Sequence, residues 1–481
     1  MENFEKVLLI FYMSLFISVF YVLFLVFSHW PANDLTSHIP YVYFFEKYGL
    51  GYAPEWYNGF YPFDQYQPGS FAFLSMLDIF LKNYLFSYLF ANLIFIFISL
   101  LLCLLIGKEL GWPKLTGFFF FLLFMVMPGQ LNNFVWQRFP EMFGWLIFLL
   151  ILLLFLRYRE KKLDLGFYAS FIFANCFLIF SYSAQVVFLF FIFLSFLIRR
   201  NFEKPLILSY LLSFVLSLPW LIKFLGSFGS ISVWPWTTKS ANFVLYFLST
   251  RSIDWELAPM FFVLFLISLV SFIFFLRKSK KDLCYVPLAF LSFLNFTFIY
   301  AFLPALKYIF EHTFICYYAI IASIFFLGKK EGTRIFLSAF LLISLSEFFL
   351  LAPLANLSSD TNSDYYRIID DVSGKFFILD GNFSVTKYFI VDGPIYAYAA
   401  INGKTMPTGP KAETHTLDAQ NIILNLGAYI KEVDCEKINK VLFYFKVEEI
   451  ISAGSLCNSF EKKCGFELKK QLGNVCLLKV L

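Results

Sequence analysis

Long apolar segments recur from residue 7 to residue 353 and limit the fold more than any other feature of the chain. In lipid, backbone polar groups must be satisfied within the segment, so about 20 consecutive apolar residues predict a spanning helix. We expect about eleven spans. They are placed at 7–27, 84–106, 115–128, 139–156, 165–181, 184–198, 205–222, 257–276, 283–303, 313–328 and 333–353. With 15% charged residues, against about 25% in soluble domains, the sequence predicts a polytopic α-helical membrane protein.

Positive residues distribute unevenly between the two sides of the predicted membrane. Sixteen Lys and Arg occupy five short loops on one side, and seven occupy the loops opposite. Because positive residues accumulate in cytoplasmic loops, we expect a cell-membrane protein with a cytoplasmic N-terminus. Loop 28–83 and the C-terminal region are then outside. The net charge of +5 resides largely in those short loops, so the expected partner is the lipid bilayer and not nucleic acid.

Polar residues and turn signals return after Pro353 and predict a second domain at 355–481, following a membrane domain at 1–354. Three segments have the composition of strands, at 376–380, 387–392 and 441–447. The segment 415–430 has apolar residues at helical spacing. Leu472, Gly473 and Asn474 form a hairpin signal between two final strands. We expect a small extracytoplasmic α+β domain.

The C-terminal region also contains half of the eight cysteines. They are Cys435, Cys457, Cys464 and Cys476. Outside the cell they would form at least one disulfide, with Cys457–Cys464 the closest pair in sequence and Cys435–Cys476 the second. The alternative is four free thiols that pack as small apolar groups. Since no CxxC pair occurs, a zinc site is not expected.

The stretch between the first two spans is the part of the membrane region that looks most like an active site. Asp34 and His38 are four residues apart and would share one face of a short helix. A carboxylate and an imidazole there suit proton chemistry or a divalent cation, although Asp34 equally suits a helix cap. The many Trp, Tyr and Pro residues that follow are typical of a membrane–water boundary.

A lipid-phosphate substrate would need cationic groups at the outer face. The candidates are Arg138, Lys223, Lys307 and His312. Arg138 also suits an interfacial anchor, and Lys307 and His312 suit a solvated loop. Glu141 follows Pro140 at the predicted start of a span, where it would complement the helix dipole or contact substrate.

The first loop resembles that of the large prokaryotic membrane proteins labelled 6-pyruvoyl-tetrahydropterin-synthase-related, which look like members of the GT-C glycosyltransferase superfamily. The matching residues are Asp34, His38, Trp56, Gly59 with Pro62, and Tyr66 with Pro68. The segment RFPEMF, with Pro140 and Glu141, resembles a second element of the same proteins. Two positions depart from the pattern, since no His occurs near Tyr182–Gln185 and His312 stands where Arg is expected.

This resemblance implies sugar transfer from a polyprenyl-phosphate donor at the extracytoplasmic face. Asp34, with His38, would be the catalytic residue and would activate the acceptor hydroxyl. The implied substrate and phosphate contacts are Trp56, Tyr66, Arg138, Glu141, Lys307 and His312.

Two other functions remain open: a non-catalytic GT-C-like scaffold that binds lipid-linked glycans, and a transporter or flippase. Charged residues within the predicted spans are nearly absent, with Glu347 the main exception. Transporters usually place several charged residues there, which disfavours the second function.

Overall fold

The fold was analysed in a computed structural model of the chain. The residues that it describes are 35–57, 59–126, 130, 133, 137–227, 258–297, 318, 320–325, 363–379, 393–407 and 417–481. Asp34, Lys307 and His312, and the predicted spans 7–27 and 333–353, lie outside these residues.

The chain divides into two compact units. The first, which we call the membrane unit, comprises Met1–Phe27, Phe86–Pro219 and Pro235–Asn356. The second, which we call the loop–tail unit, comprises Ser28–Leu85, Trp220–Trp234 and Leu357–Leu481. The first loop, which the sequence division places with the spans, is thus in one unit with the C-terminal region.

Helices dominate the described part of the chain before residue 298. They are α1 (Leu35–Tyr48), α2 (Pro62–Gln65), α3 (Gly69–Leu81), α4 (Tyr84–Glu109), α5 (Lys114–Val126), α6 (Phe139–Tyr158), α7 (Leu165–Tyr182), α8 (Val186–Arg199), α9 (Lys204–Ser227), α10 (Ala258–Ser279) and α11 (Val286–Thr297). The prediction that the chain is mostly helical and apolar is confirmed.

Within the described residues, four helices are long and apolar enough to cross a membrane. They are Tyr84–Glu109, Phe139–Tyr158, Leu165–Tyr182 and Lys204–Gly226. Several other expected spans coincide with shorter apolar helices, which are Lys114–Met125, Val186–Arg199 and Leu283–Thr297. The multi-span character is therefore supported, whereas the expected count of about eleven is met only in part.

Serines along α9 show how a polar group is satisfied inside an apolar helix. Ser209, Ser213 and Ser217 each donate a hydroxyl hydrogen bond to the carbonyl four residues earlier, at 2.8–2.9 Å. This back-bonding leaves the helix surface apolar toward its surroundings.

The C-terminal region combines helices with a sheet. Its elements are α12 (Ser363–Asp371), β1 (Phe376–Leu379), α13 (Gly393–Ile401), α14 (Leu417–Glu432), α15 (Cys435–Phe445), β2 (Glu449–Ala453), α16 (Ser455–Cys464), β3 (Glu467–Leu472) and β4 (Val475–Lys479). Among the described residues the sheet order is β1-β2-β4-β3, with β1 parallel to β2 and the other pairs antiparallel. The expected strand at 376, the helix near 417 and the final hairpin all form, while 387–392 lies outside the described residues.

The strand predicted at 441–447 is wrong, because this segment belongs mainly to helix α15. Its β-branched and aromatic residues suggested a strand, but Ile438, Val441, Leu442 and Phe445 follow a helical spacing and bury one face. The Asp434 carboxylate caps the helix by accepting from the Lys437 N–H at 3.2 Å. The strand that the sequence analysis missed is β2, which follows directly.

A buried carboxylate anchors the start of β2. Glu449 accepts hydrogen bonds from the Ser373 and Gly374 amides at 2.8 and 3.2 Å and contacts the Lys469 ammonium. Burial alone would raise the pKa of Glu449, but the hydrogen bonds from Lys469, Gly374 and Ser373 outweigh it and lower the pKa. The carboxylate thus fixes the turn before β1 against the sheet.

All four cysteines of the C-terminal region are disulfide-bonded, but in pairs other than those predicted. Cys435 bonds Cys464 and Cys457 bonds Cys476, with Cα–Cα distances of 5.2 and 6.0 Å. The predicted Cys457–Cys464 pair is wrong because both residues lie in α16, where seven residues rise about 10 Å and a disulfide needs less than about 7 Å. Cys435–Cys476 is then wrong as well.

Candidate functional site

The candidate site in the first loop begins at helix α1. Asp34 immediately precedes Leu35, the first described residue of this helix. His38, one turn in, is fully buried, and its Nε2 lies 3.2 Å from the Tyr66 hydroxyl. The imidazole also meets the Phe71 ring edge-on at 5.6 Å. The structure therefore brings two of the predicted site residues, His38 and Tyr66, into contact.

Aromatic residues of the loop pack around Tyr41, which is fully buried. Its ring lies 5.2 Å from that of Tyr66 and 5.3 Å from that of Phe71. Trp56 meets it edge-on at 6.3 Å and is likewise fully buried. The aromatics that were predicted to suit a membrane boundary thus largely form a core, because ring edges and faces attract each other.

Trp56 also attaches the loop to the C-terminal region. Its indole N–H donates to the Tyr396 carbonyl at 3.4 Å. The neighbouring residue Glu55 accepts from the Met406 N–H through its main-chain carbonyl at 2.7 Å. Two successive loop residues therefore form hydrogen bonds to the C-terminal region, about 340 residues away in the sequence. The conformation of the loop depends on these bonds.

The Glu55 side chain is a buried carboxylate that sequence reasoning missed. Its Oε1 accepts from the Tyr48 hydroxyl at 2.6 Å, the Lys47 ammonium at 3.1 Å and the Tyr43 hydroxyl at 3.3 Å. The hydrogen bond with Tyr43 is the main cause of a raised Lys47 pKa, with Tyr48 and Glu55 contributing. Tyr43, Lys47 and Tyr48 lie in α1, whereas Glu55 lies in the chain after it, so the periodicity of the helix gives no signal for Glu55.

A second carboxylate, that of Glu46 in α1, lies near α3. Glu46 accepts from the Tyr84 hydroxyl at 2.9 Å. Burial raises the pKa of Glu46, and the negative charge of Asp78 raises it further. Asp78, which interrupts the apolar helix α3, is buried, so the polar side of this short helix faces inward.

In the membrane unit, Glu141 occupies the first turn of α6, as expected, with Pro140 at the helix start. Its carboxylate is buried, and Oε2 accepts from the Tyr182 hydroxyl at 3.4 Å. The Gln185 amide donates to the Glu141 carbonyl at 3.3 Å. The short 3₁₀ segment Ser183–Gln185 between α7 and α8 thus contacts the N-terminal end of α6.

Gly144 leaves room for Tyr182 and Gln185 to contact Glu141. A Cβ at Gly144 would lie 2.6 Å from the Gln185 side-chain oxygen and 2.7 Å from the Tyr182 Cβ. Real Cβ atoms do not approach other atoms so closely, so a side chain at Gly144 would push Tyr182 and Gln185 away from Glu141.

Arg138 is held by the turn that precedes α6. Its N–H donates to the Asn133 carbonyl at 2.8 Å. Gln137 has φ +56, a left-handed conformation that costs free energy outside glycine. The Tyr88 hydroxyl fixes this turn by donating to the Gln137 carbonyl and accepting from the Phe139 N–H.

The predicted site residues therefore fall into two groups. His38, Trp56 and Tyr66 lie in the loop–tail unit, and Arg138 and Glu141 lie in the membrane unit. Among the described residues, no three His, Cys, Asp or Glu side chains come together as metal ligands. The divalent cation that Asp34 and His38 suggested stays a sequence-based expectation, because Asp34 lies outside those residues.

No protein-family model and no curated protein matches this chain. A solved structure does: the crystal structure of the Archaeoglobus fulgidus oligosaccharyltransferase in complex with Zn and sulfate. The similarity has a TM-score of 0.52 at 14% identity and covers 88% of this chain, which spans 64% of the length of that one. At this identity the comparison shows the fold alone. The chain therefore shares the overall fold of that oligosaccharyltransferase structure.

Proposed function

We propose that this protein is a membrane glycosyltransferase of the GT-C type, which transfers a sugar from a polyprenyl-phosphate donor at the extracytoplasmic face. The observation that supports the proposal is the similarity in fold to the oligosaccharyltransferase structure, which extends over 88% of this chain. The first-loop residues that resemble a GT-C active site add a candidate base, Asp34, four residues before His38 in the sequence. His38 is buried, and its Nε2 lies 3.2 Å from the Tyr66 hydroxyl.

In this proposal Asp34 is the general base. Its carboxylate takes the proton of the acceptor hydroxyl, and the hydroxyl oxygen forms a bond to the anomeric carbon of the sugar. The bond from that carbon to the phosphate oxygen breaks with inversion, and its electron pair leaves with the polyprenyl phosphate. Arg138, Lys307 and His312 are proposed to stabilise the charge that develops on the phosphate.

The loop residues take supporting roles in the proposal. Tyr66 is half-buried and touches His38, so it positions the imidazole and contacts the substrate. Trp56 is fully buried, so its effect on substrate binding passes through the shape of the loop. Glu141 contacts the substrate in the membrane unit.

The test is the Asp34→Asn variant, assayed for consumption of polyprenyl-phosphate sugars in membranes with matched expression. Asparagine keeps the size and the capping ability of aspartate but cannot accept the proton. We expect turnover to fall by roughly 10²–10⁴-fold. The control is Asp64→Asn, which removes another carboxylate of the same loop and should leave turnover near that of the wild type.

Equal, non-zero turnover of wild type and Asp34→Asn would remove Asp34 from the reaction. A wild type that binds lipid-linked sugars without turning over any donor would instead be a binding scaffold. An aqueous pathway across the bilayer in a density map of the purified protein would indicate a transporter.

A further inference from the structure

Positive charge is concentrated on three segments of the membrane unit that connect its helices in pairs. They are 157–164 between α6 and α7, 199–204 between α8 and α9, and 277–282 between α10 and α11. We call them the three basic turns. Together they contain eleven Lys and Arg against four Asp and Glu. The positive-inside rule expects such residues on the cytoplasmic side, but it does not place the turns next to one another.

The Arg199 guanidinium joins the three basic turns. Its Nη2 lies 3.3 Å from Oε1 of Glu160 in the first turn, and its Nη1 lies 3.7 Å from Oδ2 of Asp282 in the third. The Asp282 carboxylate is itself fixed, because it accepts from the Cys284 N–H at 3.1 Å. The three turns therefore meet at one end of their helices.

A second guanidinium, that of Arg159, lies at the same place. Its Nε is 3.9 Å from the Glu160 oxygen that Arg199 also contacts. The two arginine side chains are 45% and 44% exposed, so both are open to a ligand from outside the protein. Paired guanidinium groups suit a phosphate, because their planar N–H donors match its oxygens.

Each basic turn also contains or adjoins a large apolar residue that is more than half exposed. These residues are Leu165 at 83%, Phe202 at 53% and Leu283 at 70%. A soluble anion or a nucleic acid would be bound by the cations alone. Cations beside exposed apolar side chains instead match a lipid, which presents a charged headgroup next to hydrocarbon.

We propose that the three basic turns bind an anionic phospholipid, with its phosphate beside the Arg159 and Arg199 guanidinium groups and its hydrocarbon against the three exposed apolar residues. Because the turns are expected on the cytoplasmic side, the ligand is a lipid of the inner leaflet. This binding is independent of the sugar transfer that we propose at the opposite face.

The test is native mass spectrometry of the purified full-length protein, titrated with palmitoyl-oleoyl phosphatidylglycerol and, separately, with the matching phosphatidylcholine. We expect the wild type to bind the anionic lipid more tightly. Each cation beside an anionic lipid contributes about fivefold in affinity, so Arg159→Gln/Arg199→Gln should bind phosphatidylglycerol about 25-fold more weakly. The affinity for phosphatidylcholine should stay unchanged.

A second variant and a control accompany the test. Lys161→Gln/Lys281→Gln removes two exposed cations of the first and third turns without breaking the ion pairs of Arg199, and it should also weaken binding of phosphatidylglycerol. This variant tests the proposal if the arginine variant does not fold. The matched control is Lys462→Gln/Lys463→Gln, which removes the same charge from exposed positions of α16 and should bind phosphatidylglycerol like the wild type.

The proposal is overturned if the wild type binds both phospholipids equally, or if the folded variants of the basic turns keep the affinity of the wild type. An equal loss in the control would show that net charge, and not this site, attracts the lipid. Equal affinity for water-soluble glycerol 3-phosphate would identify a soluble phosphate as the ligand and would likewise reject the lipid site.

Discussion

At the scale of single residues, Glu55 shows how a polar group can hold an aromatic loop together. Its carboxylate accepts from two tyrosines and one lysine, and only 1% of the residue is exposed. The main-chain carbonyl of Glu55 and the indole N–H of Trp56 form hydrogen bonds to the C-terminal region. Replacing this carboxylate should therefore destabilise the first loop, which includes His38 in α1.

We predict that Glu55→Gln destabilises the folded protein by about 1–3 kcal/mol, because its hydrogen bonds become bonds to a neutral acceptor and the Lys47 ammonium loses its counter-charge. The measurement is the thermal unfolding of the purified protein. The control is Glu436→Gln, whose partner Lys440 is exposed like Glu436 itself, and it should cause no measurable change. Equal melting temperatures for Glu55→Gln and the wild type would contradict the assigned role.

At the scale of secondary-structure elements, α16 is attached at both of its ends. Cys464 at its C-terminal end bonds Cys435 at the start of α15, and Cys457 in its first turn bonds Cys476 in β4. A ten-residue helix is marginal by itself, so these two covalent bonds fix it against its neighbours.

We predict that non-reducing mass spectrometry finds peptides cross-linked through Cys435–Cys464 and through Cys457–Cys476. Replacing Cys435 and Cys464 together by serine should lower stability by about 2–4 kcal/mol, since a cross-link restricts the unfolded chain. Cys284→Ser, which alters a cysteine that forms no disulfide, is the comparison variant. Free thiols at all four positions of the C-terminal region in protein from an oxidising compartment would refute the pairing.

At the scale of the whole molecule, the loop–tail unit restricts the membrane topology. Since the first loop contacts the C-terminal region directly, both must lie on the same side of a membrane. The chain between them then crosses the bilayer an even number of times, and the ten spans predicted there meet that requirement. The positive-inside rule alone indicates that this side is the extracytoplasmic one.

We predict that the loop around Lys280 lies in the cytoplasm. Lys280 is exposed in the turn after α10, so Lys280→Cys should react with a membrane-impermeant maleimide only after the cells are permeabilised. Lys431→Cys, on an exposed position of α14, should react in intact cells. Labelling of Lys280→Cys in intact cells would show that the orientation is the opposite one. The first loop would then face the cytoplasm, which contradicts an extracytoplasmic active site.

The features that depend on neighbouring residues were predictable from the amino-acid sequence. Apolar runs of spanning length predicted the helices that begin near residues 84, 139, 165 and 205, and turn residues predicted the final hairpin. Pro140 and Glu141 marked the start of α6 correctly. These signals are local, because helix length, caps and turns are set by residues a few positions apart.

The contacts between residues far apart in the sequence depend on how the folded segments pack. The segment at 441–447 lies mainly in a helix because its apolar spacing continues from Ile438, before the segment that suggested a strand. The cysteine pairs, by contrast, followed from how α15, α16 and β4 pack. Within the site, the sequence predicted His38 and Tyr66 but not their contact, and it did not predict Glu55 or the hydrogen bond from the Gln185 amide to the Glu141 carbonyl. Such clusters combine residues from separate segments, and no periodicity in one segment records the side chains that another will bring against it.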